Sequence, residues 1–259
     1  YAAPGAYNVL LTATSNNGCV DTLTQTVTVS PEPVADFTLN NTTACDRDTV
    51  FMTNNSTVVG TDIVYTWTFG DGNTSNDVSP AYVYAAPGLY SVVLTVTDTV
   101  TGCSDVASDT VTIFHRAVPA FTTADVCLGS AASLTNGTTI GVGTVSYFWD
   151  FGDTTFSTDI NPTHVYDSIG IKTITLVVTT DNGCTDTVSH TLIVNPLPEA
   201  DFSVGPTCFG NPTDFTNLTT IAFGTTTYLW NFGDGVTDTA TNPSHTYNVL
   251  GNYTVTLTA

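Results

Sequence analysis

Along Tyr253–Thr258 apolar and hydroxyl-bearing residues alternate one by one, with Tyr253, Val255 and Leu257 on one side and Thr254, Thr256 and Thr258 on the other. This period of two predicts a strand with one face on a core and the other in water. The segment 65–72 carries the same alternation with larger side chains: Tyr65, Trp67 and Phe69 share a face, and Gly70-Asp71-Gly72 ends the strand in a turn where φ > 0 is easily adopted. Trp67 is the predicted centre of that core. Burying three such rings contributes on the order of several kcal/mol at about 25 cal/mol per Å².

The same pattern returns twice. Trp67, Trp149 and Trp230 lie 82 and 81 residues apart, and Tyr1, Tyr84, Tyr166 and Tyr247 step by 83, 82 and 81. A repeat of this length exceeds helical solenoid periods of roughly 33 to 47 residues and approaches the roughly 100 residues of a β-sandwich domain. Each repeat is therefore expected to fold around its own Trp. Composition agrees: 20 Gly, 12 Pro and an abundance of Thr, Val, Tyr and Phe suit short strands and tight turns. Three Lys plus Arg against 23 Asp plus Glu give a formal charge of -20, which repels phosphate backbones and anionic lipid headgroups. Nucleic acid is excluded as a partner on that ground. No run of about eighteen apolar residues encodes a membrane-spanning helix.

The strings Tyr65-Thr-Trp-Thr-Phe-Gly-Asp-Gly72, Tyr147-Phe-Trp-Asp-Phe-Gly-Asp153 and Tyr228-Leu-Trp-Asn-Phe-Gly-Asp-Gly235 resemble the PKD domain signature. So do Asn161-Pro-Thr-His-Val-Tyr166, Asn242-Pro-Ser-His-Thr-Tyr247 and Gly251-Asn-Tyr-Thr-Val-Thr-Leu-Thr258, and the resemblance covers essentially the whole chain. It implies an all-β chain of tandem immunoglobulin-like sandwiches of seven strands each, with Trp on the third strand and the Gly-Asp-Gly turn after it. Bacterial arrays with cysteines in these places resemble very large surface and gliding-associated proteins of the Bacteroidetes group. Boundaries at the Pro-rich seams divide the chain into residues 1–31, the last strands of one domain; 32–115 and 116–196, complete domains; and 197–259, a domain lacking its last strand. Seams of two to four Pro-stiffened residues predict domains stacked end to end as a rod, rising roughly 30 to 40 Å each.

The repeats serve as their own control on candidate chemistry. His164 and His245 are equivalent, yet the first complete repeat has Tyr82 there, which suits an aromatic that packs and hydrogen-bonds. Tyr7, Tyr90 and Tyr253 align with Lys172, whose aliphatic stem can cover the same surface. Asp71, Asp153 and Asp234 recur in all three turns. An Asp there usually bonds its own backbone, and the alternative is a calcium site, which needs six to eight converging oxygens. Neither a Ser-His-Asp order nor a phosphate-cradling Gly loop occurs. The reading is of a chain without catalytic residues and without a required cofactor.

Six cysteines fall in two series, Cys19, Cys103 and Cys184 before the last strand and Cys45, Cys127 and Cys208 before the second. Their regularity argues for disulfides. In a sandwich with its termini at opposite ends, Cys45 and Cys103 lie at opposite ends too, beyond the roughly 7 Å that a disulfide allows between Cα atoms. In an end-to-end stack Cys45 meets Cys184 of the next domain. Cys19, Cys103, Cys127 and Cys208 would then pair outside this segment. The rival readings are free buried thiols and bonds between neighbouring rods. Thr22, Thr49, Thr99, Thr110, Thr154, Ser168, Thr187 and Thr239 follow Asp in strings resembling the O-glycosylation sequon of Bacteroidetes, while Asn54, Asn136 and Asn217 head N-x-[ST] strings that suit turn capping.

Taken together, the sequence points to a structural or adhesive extracellular segment of a bacterial cell-surface filament or stalk. Its expected partners are neighbouring repeats, other filaments, surface glycans and the host or substratum. The alternative is a set of carbohydrate- or protein-binding accessory modules of a secreted hydrolase, which an exposed aromatic row on one sheet would favour.

Overall fold

A computed structural model describes residues 1–259, and every regular element in it is a β-strand. The chain opens with a hairpin of β1 (Gly5–Thr14) and β2 (Val20–Val29), in register from Gly5 opposite Val29 to Thr14 opposite Val20. Its loop closes by reciprocal bonds, Ser15 N–H to the Cys19 carbonyl and Cys19 N–H to Ser15 Oγ.

The first sandwich comprises β3 (Phe37–Leu39), β4 (Thr43–Cys45), β5 (Thr49–Asn54), β6 (Ile63–Thr68), β7 (Thr74–Ser75), β8 (Ala81–Val83), β9 (Gly88–Asp98) and β10 (Ser104–Phe114). One sheet runs β3-β5-β8 and the other β4-β10-β9-β6-β7. Eight strands appear in place of seven because the opening strand is divided. β3 pairs antiparallel with β5, and three residues later β4 pairs in parallel with the end of β10. Between the sheets lie Phe37, Val50, Met52, Trp67, Phe69, Tyr84, Val92, Leu94 and Val96, with Val111 and Ile113.

The second sandwich repeats this plan with β11 (Phe121–Thr122), β12 (Val126–Cys127), β13 (Ala131–Ser133), β14 (Thr135–Asn136), β15 (Val145–Asp150), β16 (Phe156–Ser157), β17 (Thr163–Val165), β18 (Gly170–Thr180) and β19 (Thr185–Asn195). Its larger sheet is ordered β12-β19-β18-β15-β16, and β12 again pairs in parallel with the end of β19. The third has β20 (Phe202–Val204), β21 (Thr213–Asn217), β22 (Leu229–Asn231), β23 (Thr237–Asp238), β24 (Ser244–His245) and β25 (Thr256–Thr258). Here β25 pairs with β22 alone, and Val255 and Leu257 are half-buried where the equivalent Val92 and Leu94 are buried.

The contacts fall into two compact units. One takes in Tyr1–Arg116 with two loops of the next repeat, Ile140–Thr144 and Thr180–Cys184; the other holds the remainder, Ala117–Thr139, Val145–Thr179 and Thr185–Ala259. Trp67, Trp149 and Trp230 are each fully buried. Each indole N–H donates to the main-chain carbonyl ten residues on, that of Asp77, Asp159 or Ala240, at 2.8–2.9 Å. Because the acceptor is backbone, the side chain at that position is free to differ. The rings thus bury their apolar bodies without orphaning the one polar group they carry.

Candidate functional site

The three Phe-Gly-Asp turns are the most chemistry-rich places on the chain. Gly70, Gly152 and Gly233 hold φ of +83°, +75° and +81°. An added Cβ at Gly152 or Gly233 would sit 2.5 Å from the carbonyl oxygen of Thr173 or Thr254, and at Gly70 it would sit 2.8 Å from the backbone of Ser91. Only glycine lets the turn lie this close to the neighbouring strand. The turn then aims its Asp at the aromatic eleven residues later.

In the first sandwich Asp71 accepts bonds from the Asn73 N–H at 3.0 Å and the Tyr82 hydroxyl at 2.6 Å. In the second, Asp153 accepts from the Thr155 N–H and hydroxyl, and His164 Nε2 lies 2.6 Å from its Oδ2. In the third, Asp234 accepts from the Val236 N–H, and His245 Nε2 lies at 2.7 Å. Partial burial would raise the Asp71 and Asp153 carboxyls, but the bonds from Tyr82 and Asn73, and from Thr155 and His164, outweigh it and hold both below the ordinary 3.8. At Asp234 the His245 bond is the largest influence and lowers the carboxyl likewise.

Asp153, His164 and Thr155 have the composition of a nucleophilic triad but not its geometry. A relay needs the two imidazole nitrogens to face different partners, one the carboxylate and the other the hydroxyl. Here the single nitrogen Nε2 faces both Asp153 Oδ2 and, at 3.3 Å, Thr155 Oγ1. A nitrogen that donates to a carboxylate has no lone pair with which to take a hydroxyl proton. The ring is also stacked flat on Phe151, at 4.3 Å and 1°. His245 stacks on Phe232 at 4.3 Å, and Tyr82 on Phe69 at 4.0 Å. These groups pin the turn to β8, β17 or β24. Nowhere do three or more His, Cys, Asp or Glu side chains converge in a group that could hold a metal ion.

Tyr84, Tyr166 and Tyr247 stand edge-on to Tyr82, His164 and His245, and their hydroxyls donate to the carbonyls of Phe69, Phe151 and Phe232 at 3.0–3.1 Å. Burial pushes the Tyr166 hydroxyl up to about 12, with the nearby Asp153 adding to it. Tyr90 and Tyr253 stack in turn on Tyr84 and Tyr247 at 4.3 and 4.2 Å. In the second sandwich Lys172 takes that place, its Nζ 5.6 Å over the Tyr166 ring and bonded to Ser168 Oγ at 2.8 Å. A cation over the ring face replaces a ring.

Cys45 and Cys184 form a disulfide within the first compact unit, with Cα atoms 5.7 Å apart. β4 carries Cys45, and a loop closed by Thr180 carries Cys184: Thr180 N–H donates to the Cys184 carbonyl, and Cys184 N–H to Thr180 Oγ1. Beside the bond, Arg116 Nε donates to the Asp46 carbonyl at 2.9 Å and its Nη2 pairs with Asp48. The remaining thiols are free: Cys19, Cys127 and Cys208 are exposed and Cys103 is half-buried. All eight candidate glycosylation residues, from Thr22 to Thr239, are exposed. The side-chain oxygens of Asn54, Asn136 and Asn217 accept from the N–H two residues on, as turn caps do.

One feature was not singled out from the sequence. Phe148 on β15 and Phe156 on the edge strand β16 stack at 5.2 Å on the water-facing side of the sheet, 43% and 56% exposed. The signal was present, because alternation puts Phe148 on the face opposite Trp149. Thr66 and Thr74 occupy the corresponding places in the first sandwich.

Similarity to known proteins follows the same lines. A microbial collagenase of Vibrio alginolyticus is 45% identical over 53 residues, 20% of this chain and 6% of that protein. Polycystin-1 of Homo sapiens is 27% identical over 273 residues, 96% of this chain and 6% of that protein. Among solved structures, the PKD1 domain of the Vibrio cholerae metalloprotease PrtV is 36% identical and covers 32% of this chain and 99% of its own, with a TM-score of 0.28. The chain thus spans a small fraction of the length of the curated relatives it matches. The PKD domain model matches residues 30–113, 117–195 and 194–259, nearly the whole length. This chain belongs to the PKD domain family.

Proposed function

We propose that this chain is a structural and adhesive segment of an extracellular bacterial surface protein, in which repeated sandwiches supply length and contact surface. The observation that carries the reading is the Cys45–Cys184 bond, which ties each of two consecutive repeats to the other. Such a tie limits their relative motion and suits an oxidising compartment outside the cytosol. No helix is long and apolar enough to cross a membrane. In this reading Cys127 stands where Cys45 stands and bonds a following repeat, Cys103 bonds a preceding one, and Cys19 and Cys208 likewise pair beyond the segment. Small-angle scattering tests it: a long thin particle rising roughly 30 to 40 Å per repeat is expected. A compact particle would overturn it.

The exposed Phe148–Phe156 pair favours a second reading, in which the middle repeat is a binding module for a polysaccharide or protein substrate of an attached hydrolase. Resemblance to segments of collagenases and a metalloprotease supports it. Retention of the chain on insoluble collagen or polysaccharide, lost in Phe148→Ser with Phe156→Ser while thermal stability is kept, is the result expected. Equal retention of the double variant would exclude this surface.

A further inference from the structure

We infer that the segment is a strain-limited tether, in which the Cys45–Cys184 bond diverts tension around most of two sandwiches. The inference deepens the structural-array reading and depends on it for its physiological sense. The bond closes a loop with a sequence separation of 139 residues. Tension applied between the two ends of the chain enters through β3 and β4, crosses at the disulfide and leaves along β19. Everything between Asp46 and Gly183 is off that path. The shielded part holds β5 to β10 of the first sandwich and β11 to β18 of the second, with Trp67 and Trp149.

Two features of the strands make the diversion effective. β4 ends at Cys45 itself and lies parallel to the last residues of β10, Thr43 opposite Thr112 and Cys45 opposite Phe114. Tension therefore runs along β4 and does not peel it from β10. β19 begins one residue after Cys184 and is held over ten residues by β18. A strand already rises about 3.2–3.4 Å per residue, close to the roughly 3.3–3.6 Å of a fully drawn chain, so pulling on β19 releases almost no length. The two cores need not open for the load to pass.

The test is single-molecule extension of the full chain held by its two ends. At the roughly 3.3–3.6 Å per residue of an extended chain, a loop of 139 residues hides about 460–500 Å. The oxidised chain is expected to reach a final extended length shorter by that amount than the same chain in a dithiol reductant or the Cys45→Ser, Cys184→Ser double variant. Final length does not depend on whether the double variant folds, so a folding defect cannot imitate the result. Equal lengths for oxidised and reduced chains would overturn the inference. A compact particle by scattering together with the length deficit would remove the array reading while leaving the diversion in place.

Discussion

Replacing Gly152 by Ala perturbs the Phe-Gly-Asp turn at its tightest point. Two costs are separable. The first is conformational, because φ is +75° and a residue with a Cβ loses roughly 1–2 kcal/mol in the left-handed region. The second is steric: the new Cβ would lie 2.5 Å from the Thr173 carbonyl oxygen and 3.2 Å from its nitrogen. Both atoms are backbone of β18, which is paired with β19 and cannot rotate away, so overpacking adds about 1–3 kcal/mol. Gly129→Ala is the matched control, since its φ is +78° but no atom lies within 4 Å of the added carbon. The expected losses are about 1–2 kcal/mol for Gly129→Ala and about 3–4 kcal/mol for Gly152→Ala. Hydrogen exchange of peptides spanning Val145–Thr180, read by mass spectrometry, reports the opening free energy of this sandwich separately from the others. If the two variants lose the same protection, close approach to β18 is not what requires glycine.

Further consequences can be checked on the same material. Thr154 holds φ of +75° where the other turns have Gly72 and Gly235, so Thr154→Gly should raise protection of the middle sandwich by about 1 kcal/mol. Trp149→Ala leaves a cavity at a fully buried site and orphans the Asp159 carbonyl; a loss of about 3–5 kcal/mol should unfold that sandwich, seen as collapse of its exchange protection. The folded Asp153 carboxyl is held below 3.8, so its stabilising effect is complete above about pH 4 and fades as pH falls through the folded value. Asp153→Asn should flatten that acid limb in a pH series of melting temperatures. At the alkaline end Tyr166, raised from 10.0 to about 12, supports the fold below pH 10 and loses that support as pH climbs through 12, so unfolding above pH 10 should be delayed in a Tyr166→Phe variant that still folds.

The parts legible in the sequence are those set by local pattern. Alternation placed Trp67, Trp149 and Trp230 inside, and the recurrence of Cys19, Cys103 and Cys184 marked the loop before each closing strand. The substitutions of Tyr82 by His164 and of Tyr90 by Lys172 also read correctly as packing positions. What stayed hidden depends on chain segments far apart. Arg116 meets Asp46 and Asp48 across 70 and 68 residues, which no spacing rule reaches. β16 is only two residues long, so periodicity is silent on it, and without it nothing says that Phe156 comes to rest on Phe148. The transfer of the opening strand from one sheet to the other is likewise decided by where β10 ends.

All three cationic side chains other than histidine are engaged. Arg47 and Arg116 gather on the acidic loop that begins at Asp46, and Lys172 sits over a tyrosine ring. Elsewhere carboxylates meet almost no counter-charge of their own chain. Molecules bearing such a surface, crowded side by side, repel one another over a range set by dissolved ions, about 8 Å at physiological ionic strength and about 30 Å at 0.01 M. Their lateral spacing, and with it the osmotic swelling of any dense coat they form, becomes a function of the surrounding salt.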